Sequence, residues 1–188
     1  MKRLKLVRVL VATSLIAGAF VTSAFAADLA ETRSPLRPCS EAVSETQFPA
    51  IGTSCITRKG STVFQRVKDA AYPQGSGETG WKDLTSGRIV FDKLQKQTDE
   101  YQSEEVCLRK HQVLPSQDDW KELERHGIRD IMVDGNTKIF WSSTAYLPNL
   151  HQDTFFGFIG SNGDADHVVA FLDLYYGDVT ARCMSPLK

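Results

Sequence analysis

The stretch CLRKHQVLPSQDDWKELERHG, residues 107–127, contains the end of one helix and the whole of a second, and it decides the fold. Leu114-Pro115 separates the two helices, because proline disfavours a helical conformation in the residue before it. Ser116 precedes Asp119 by three positions, which is the spacing of a capping box and marks the start of the second helix. Gly127 supplies the C-terminal stop signal.

Apolar spacing indicates which face of each helix packs inward. In the second helix, Trp120 and Leu123 form an apolar i, i+3 pair. In the first helix, predicted over residues 101–111, Tyr101 and Leu108 lie seven positions apart with Cys107 close to the same face. We therefore expect Tyr101 and Leu108 to face the core.

The segments on both sides of the helices favour β-structure. Short runs of β-branched and aromatic residues, bounded by turn residues, predict strands at 62–67 and 88–91 before the helices and at 138–144, 154–159, 168–174 and 179–184 after them. Strands, then two helices, then strands predict an α+β domain.

The N-terminus is typical of an export signal. Four basic residues within positions 2–8 precede an apolar run at 9–21, and Ala24-Phe25-Ala26 gives the small-x-small cleavage pattern. The apolar run is shorter than the roughly 20 residues of a membrane span. We expect a signal peptide over 1–26 that is cleaved near Ala26. The mature protein is then expected to be periplasmic or secreted, without a membrane span.

Composition and charge narrow the partner class. Of 188 residues, 41% are hydrophobic and 24% charged, which excludes a collagen-like, coiled-coil or wholly disordered chain. Removing the four basic residues of the signal from the total of 22 leaves 18 against 23 acidic residues, a net charge of −5. This balance disfavours nucleic acid as a partner.

The cysteine count fits an exported protein. All four cysteines follow the signal, and an even number in an oxidising compartment predicts two disulfide bonds, with three possible connectivities. None lies in a CxxC or CxxCH pattern, so thioredoxin-like chemistry and haem attachment lack their motifs.

Several motifs, taken in order, resemble one bacterial family. They are Gly80-Trp81-Lys82-Asp83, Cys107, Leu114-Pro115-Ser116, Trp120, Leu123, Trp141-Ser142-Ser143 and Arg182-Cys183. Together they resemble the C-type-lectin-like domains of bacterial secreted proteins, similar to the C-terminal domain of collagen-like adhesins and more distantly to formylglycine-generating enzymes. The chain departs from the family at Val113, where an arginine is usual.

The resemblance implies a C-type-lectin-like fold over residues 61–188, after an N-terminal extension with a local disulfide loop over 27–60. Two helices would pack on a small antiparallel sheet with the chain ends side by side. It also implies the pairs Cys107–Cys183 and Cys39–Cys55. The structural motif residues would be Trp81, Leu114, Pro115, Trp120, Trp141, Ser142, Ser143 and Arg182, with Trp141 in the core and the serines bonded to local backbone rather than catalytic.

Two loops carry candidate binding residues. Asn162, Asp164 and Asp166 alternate oxygen ligands as a Ca²⁺ site does, but the set is incomplete and lies in an ordinary turn sequence, so no metal or other cofactor is predicted. Around the late loops, aromatic and polar side chains suit sugar or protein contacts; the candidate surface comprises Tyr146, Asn149, His151, Asp153, Tyr175 and Tyr176.

The sequence therefore favours an exported, non-catalytic binding or adhesion module for a surface polysaccharide or protein. The Glu-Pro-Asn type motif of calcium-dependent lectins is incomplete, since Leu147-Pro148-Asn149 lacks the acid. Two alternatives are an enzyme of the formylglycine-generating or hydrolase type, which would need a free reactive cysteine or an acid/base pair, and a structural component of the envelope.

Overall fold

The structure, a computed structural model, describes residues 36–43, 49–70, 75–95, 99–132, 138–146, 154–169 and 179–186. These ranges contain the strands β1 (Arg37–Pro38), β2 (Ser54–Ile56), β3 (Val63–Lys68), β4 (Thr79–Asp83), β5 (Ile89–Gln95), β6 (Ile139–Ala145), β7 (Phe155–Ile159), β8 (Asp164–Val169) and β9 (Val179–Met184). The helices are α1 (Cys39–Ala42), α2 (Glu100–Leu108) and α3 (Gln117–Arg125), with a 3₁₀ turn at Ile128–Asp130. The α+β class expected from the sequence is therefore observed.

The strands form a nine-stranded mixed sheet in the order β1-β2-β3-β4-β5-β9-β6-β7-β8. The pairs β1/β2 and β6/β9 are parallel and the others antiparallel. The sheet is thus larger than the small antiparallel sheet expected. The last strand inserts between β5 and β6 and joins the two halves, and all six of its residues are buried.

The strands differ from the sequence prediction in number and in position. The strands β1, β2 and β4 lie outside the predicted strands, and β8 begins at Asp164 rather than at 168, directly after the turn at Gly163, whose φ of +81° suits glycine. Residues 170–174 of the strand expected at 168–174 lie outside the described residues. The first strand of the 61–188 region, β3, is separated from the last strand, β9, by β4 and β5, so the strands at the two ends of that region are not side by side as the resemblance implied.

Helix α3 covers one face of the sheet. Its capping box is formed as expected: Ser116 Oγ accepts from the Asp119 N–H, and the Asp119 carboxylate accepts from the Ser116 N–H. Trp120 stacks on Phe158, with ring centroids 4.7 Å apart, and lies 5.6 Å from Phe140. This aromatic group is the centre of the larger of two buried clusters.

Helix α2 covers the opposite face, because Cys107 shares its cluster with Trp141, and Trp141 follows Phe140 on a strand whose side chains alternate between faces. The residues that α2 buries are Glu100, Ser103 and Cys107. The expectation that Tyr101 and Leu108 face the core is wrong, since both are exposed. Position 108 is rotated by about 100° from position 107, so an inward Cys107 turns Tyr101 and Leu108 outward.

Two disulfide bonds are present with the pairing that the resemblance implied. Cys107–Cys183 ties α2 to β9, and Cys39–Cys55 ties α1 to β2. Because β2 pairs with β3, the described part of the segment before residue 61 belongs to the same sheet as the rest.

The remaining motif residues hold the segment between α2 and α3 against β6. The Ser143 N–H donates to the Pro115 carbonyl, and Trp120 Nε1 donates to the Trp141 carbonyl. Ser142 is fully buried and its Oγ accepts from the Thr144 N–H, which is a bond to local backbone. The other motif side chains, Trp81, Leu114, Pro115 and Arg182, are also buried.

Candidate functional site

Of the six residues predicted to form a binding surface, the structure describes Tyr146. Asn149, His151, Asp153, Tyr175 and Tyr176 lie outside the described residues. The Tyr146 side chain follows the end of β6 and is 43% exposed. Its N–H donates to the Thr154 carbonyl at 2.9 Å, and its ring packs edge-on against Phe156 with centroids 5.4 Å apart. The ring is thus held in place while much of it faces solvent.

A second exposed tyrosine packs against β7 from the other face of the sheet. Tyr101, in the first turn of α2, is 63% exposed and packs edge-on against Phe155, with centroids 5.7 Å apart. Phe155 in turn packs edge-on against the buried Trp141. Phe155 and Phe156 are neighbours at the start of β7, so their rings point to opposite faces of the sheet. Each supports one exposed tyrosine.

We name these two residues, Tyr101 and Tyr146, the tyrosine edge. The sequence identified Tyr146 but missed Tyr101, which was expected in the core. The exposure of Tyr101 could have been predicted from the helical spacing of Glu100, Ser103 and Cys107. Once Cys107 is bonded inward, these three residues share the inner side of the helix, and Tyr101 does not. A tyrosine ring with an apolar face and a polar hydroxyl suits contacts with either a sugar or a protein.

The acidic turn of β8 is engaged within the protein. Asn162 Oδ1 accepts from the Asp164 N–H, and Asp164 Oδ1 accepts from the Asp166 N–H, each at 2.9 Å. The Asp166 carboxylate lies 2.6 Å from Lys121 Nζ and accepts from Gln117 Nε2. Across the described ranges, no group of three or more His, Cys, Asp or Glu side chains is arranged to hold a metal ion.

One buried His–Asp pair was not singled out from the sequence. His126 Nδ1 lies 2.6 Å from Oδ2 of Asp83, a fully buried carboxylate that also accepts from the Ser86 hydroxyl. At the other end of α3, Arg88 pairs with Asp119. The β4–β5 turn therefore holds both ends of α3, which gives these charges a role in positioning the helix.

All four cysteines of the chain are in disulfide bonds. The formylglycine-generating alternative would therefore require reduction of one bond before a thiol could react. The bonds indicate an oxidising compartment. In the part of the chain that the structure describes, no helix combines the length and apolar character needed to span a membrane.

Comparisons of the chain with protein-family models, curated proteins and solved structures find no significant match.

Proposed function

We propose that this protein is an exported, non-catalytic binding module that contacts a surface polysaccharide or a protein through the tyrosine edge. The observation that carries the proposal is the support of Tyr101 and Tyr146 by adjacent phenylalanines from the two faces of β7. Rigid, exposed aromatic rings lose little conformational entropy on binding.

The proposal includes a C-type-lectin-like architecture. It is supported by the bond from α2 to the last strand and by docking of the Leu114-Pro115-Ser116 segment on the Trp141-Ser142-Ser143 strand. The nine-stranded sheet is larger than that resemblance requires.

Binding is tested with the purified, disulfide-bonded protein on arrays of bacterial and host glycans and of surface proteins. We expect a defined class of ligand to bind the wild type and to bind Tyr101→Ala and Tyr146→Ala roughly tenfold more weakly. The matched control is Leu84→Ala, which removes an exposed apolar side chain from the β4–β5 turn. An equal loss in all three variants, or no loss in the tyrosine variants, would contradict the proposal.

Export is tested separately by N-terminal sequencing of the protein recovered from the envelope and from the medium. We expect the mature chain to begin at Ala27, because Ala24-Phe25-Ala26 matches the cleavage pattern. Recovery of a chain that retains Met1 would contradict this part of the proposal.

A further inference from the structure

A cavity of about 300 Å³ lies between the β4–β5 turn and the residues that follow β9. The residues that line it include Asp69, Lys82, Arg88, Ile89, Ser185 and Pro186. The volume is at the lower end of the range for ligand pockets and suits a molecule of monosaccharide size. The lining combines charged and hydroxyl groups with two apolar side chains.

The cavity has one cation that no described residue neutralises. Arg88 pairs with Asp119 of α3. Lys82, on β4, is half-buried, and its side chain forms no ion pair or hydrogen bond with any residue in the described ranges. Its ammonium group is therefore available to a ligand, and a carboxylate is the complementary group.

Two further groups have unused hydrogen-bonding capacity. Oδ2 of Asp69 accepts from the Ser76 N–H and hydroxyl, and no described residue donates to Oδ1. The Ser185 Oγ accepts from the Ile89 N–H, so its proton has no acceptor among the described residues. The cavity thus offers an anionic acceptor and a hydroxyl donor in addition to the Lys82 ammonium, a set that matches a ligand with several hydroxyl groups and one carboxylate.

We propose that this cavity binds a polyhydroxylated carboxylic acid of the uronic acid type. The ligand carboxylate pairs with Lys82, a ring hydroxyl donates to Asp69 Oδ1, and another accepts from Ser185. Ile89 and Pro186 contact the C–H face of the sugar ring. The cavity is distinct from the tyrosine edge, and ligand binding in it does not depend on the function proposed for that edge.

The test is a titration of the purified, disulfide-bonded protein with sodium glucuronate, followed by NMR chemical shifts and calorimetry. We expect Kd in the roughly millimolar range for a ligand of this size. Lys82→Met should weaken binding roughly tenfold and Ser185→Ala by a smaller factor. Lys93→Met, which removes an exposed lysine from β5, is the matched control and should bind as the wild type does.

Glucose and acetate separate the two parts of the ligand chemistry. Glucose tests the hydroxyl groups without the carboxylate, and acetate tests the carboxylate without the hydroxyl groups; both should bind more weakly than glucuronate. The proposal would be overturned if acetate or glucose bound as tightly as glucuronate does. It would also be overturned if glucuronate did not bind at concentrations well above the millimolar range. Equal effects of Lys82→Met and Lys93→Met, in variants with unchanged melting temperatures, would overturn it as well.

Discussion

The fold alters the protonation of Glu100, a buried residue of α2. Its side chain is on the inner side of α2, only 3% exposed, and its Oε2 has no hydrogen-bond partner among the described residues. Burial, with smaller contributions from the Glu104 and Asp99 carboxylates, raises the pKa of Glu100 from 4.5 to about 7. The folded protein therefore binds this proton more tightly than the unfolded chain does.

The stability contributed by the Glu100 proton is greatest below pH 4.5 and is lost as the pH rises through 7. We expect Glu100→Gln to increase the free energy of unfolding by roughly 2–3 kcal/mol at pH 8, with the gain disappearing near pH 4. Urea denaturation across this pH range measures the difference. Glu105→Gln, on the exposed side of α2, is the control; an equal gain at pH 4 and pH 8 in Glu100→Gln would contradict the titration.

At the scale of elements, α2 and α3 are stabilised in different ways. The buried side of α3 contains Trp120 and Leu123, which pack in the aromatic cluster. The buried side of α2 contains two polar residues and Cys107. Helix α2 is thus attached mainly by the Cys107–Cys183 bond rather than by an apolar stripe.

We expect the double variant Cys107→Ala/Cys183→Ala to lose more stability than Cys39→Ala/Cys55→Ala. The first bond joins residues 76 positions apart and the second joins residues 16 apart, and a longer closed loop restricts the unfolded chain more. The expected loss for the long-range bond is roughly 2–5 kcal/mol. Thermal unfolding of both variants checks the order; a larger loss in the Cys39/Cys55 variant would contradict this account of α2.

For α3 we expect Trp120→Ala to cost about 3–5 kcal/mol, because it removes a fully buried ring and leaves a cavity. It also leaves the Trp141 carbonyl without the bond from the indole. Tyr146→Ala, which removes a partly exposed ring, should cost much less. Chemical denaturation measures the free energy of unfolding of the two variants. Similar losses in both would contradict a core centred on Trp120.

Across the whole molecule, features that depend on near neighbours in the chain could be predicted from the sequence, whereas the pairing of strands across the sheet could not. The Ser116–Asp119 capping box and the Gly127 stop involve near neighbours in the chain, so the start and end of α3 follow directly from the sequence. The insertion of β9 between β5 and β6 depends on contacts between distant segments, which no local pattern encodes.

The tyrosine edge likewise contains one residue that depends on local sequence and one that depends on a long-range contact. Tyr146 could be identified because it lies next to a loop with turn residues. The exposure of Tyr101 depends on the rotation of α2, which is set by the bond between Cys107 and Cys183. The candidate surface could therefore be predicted only in part, since one of its two described residues is positioned by a long-range contact.

The central claim, that the exposed rings of Tyr101 and Tyr146 both contact the ligand, is tested most directly by the dissociation constant of the double variant Tyr101→Ala/Tyr146→Ala for the ligand identified on the arrays. We expect a loss of affinity of roughly a hundredfold, because each ring contributes about tenfold. The control Ile51→Ala/Leu84→Ala, which removes two exposed apolar side chains elsewhere, should bind as the wild type does. Wild-type affinity in the folded double tyrosine variant would contradict the claim.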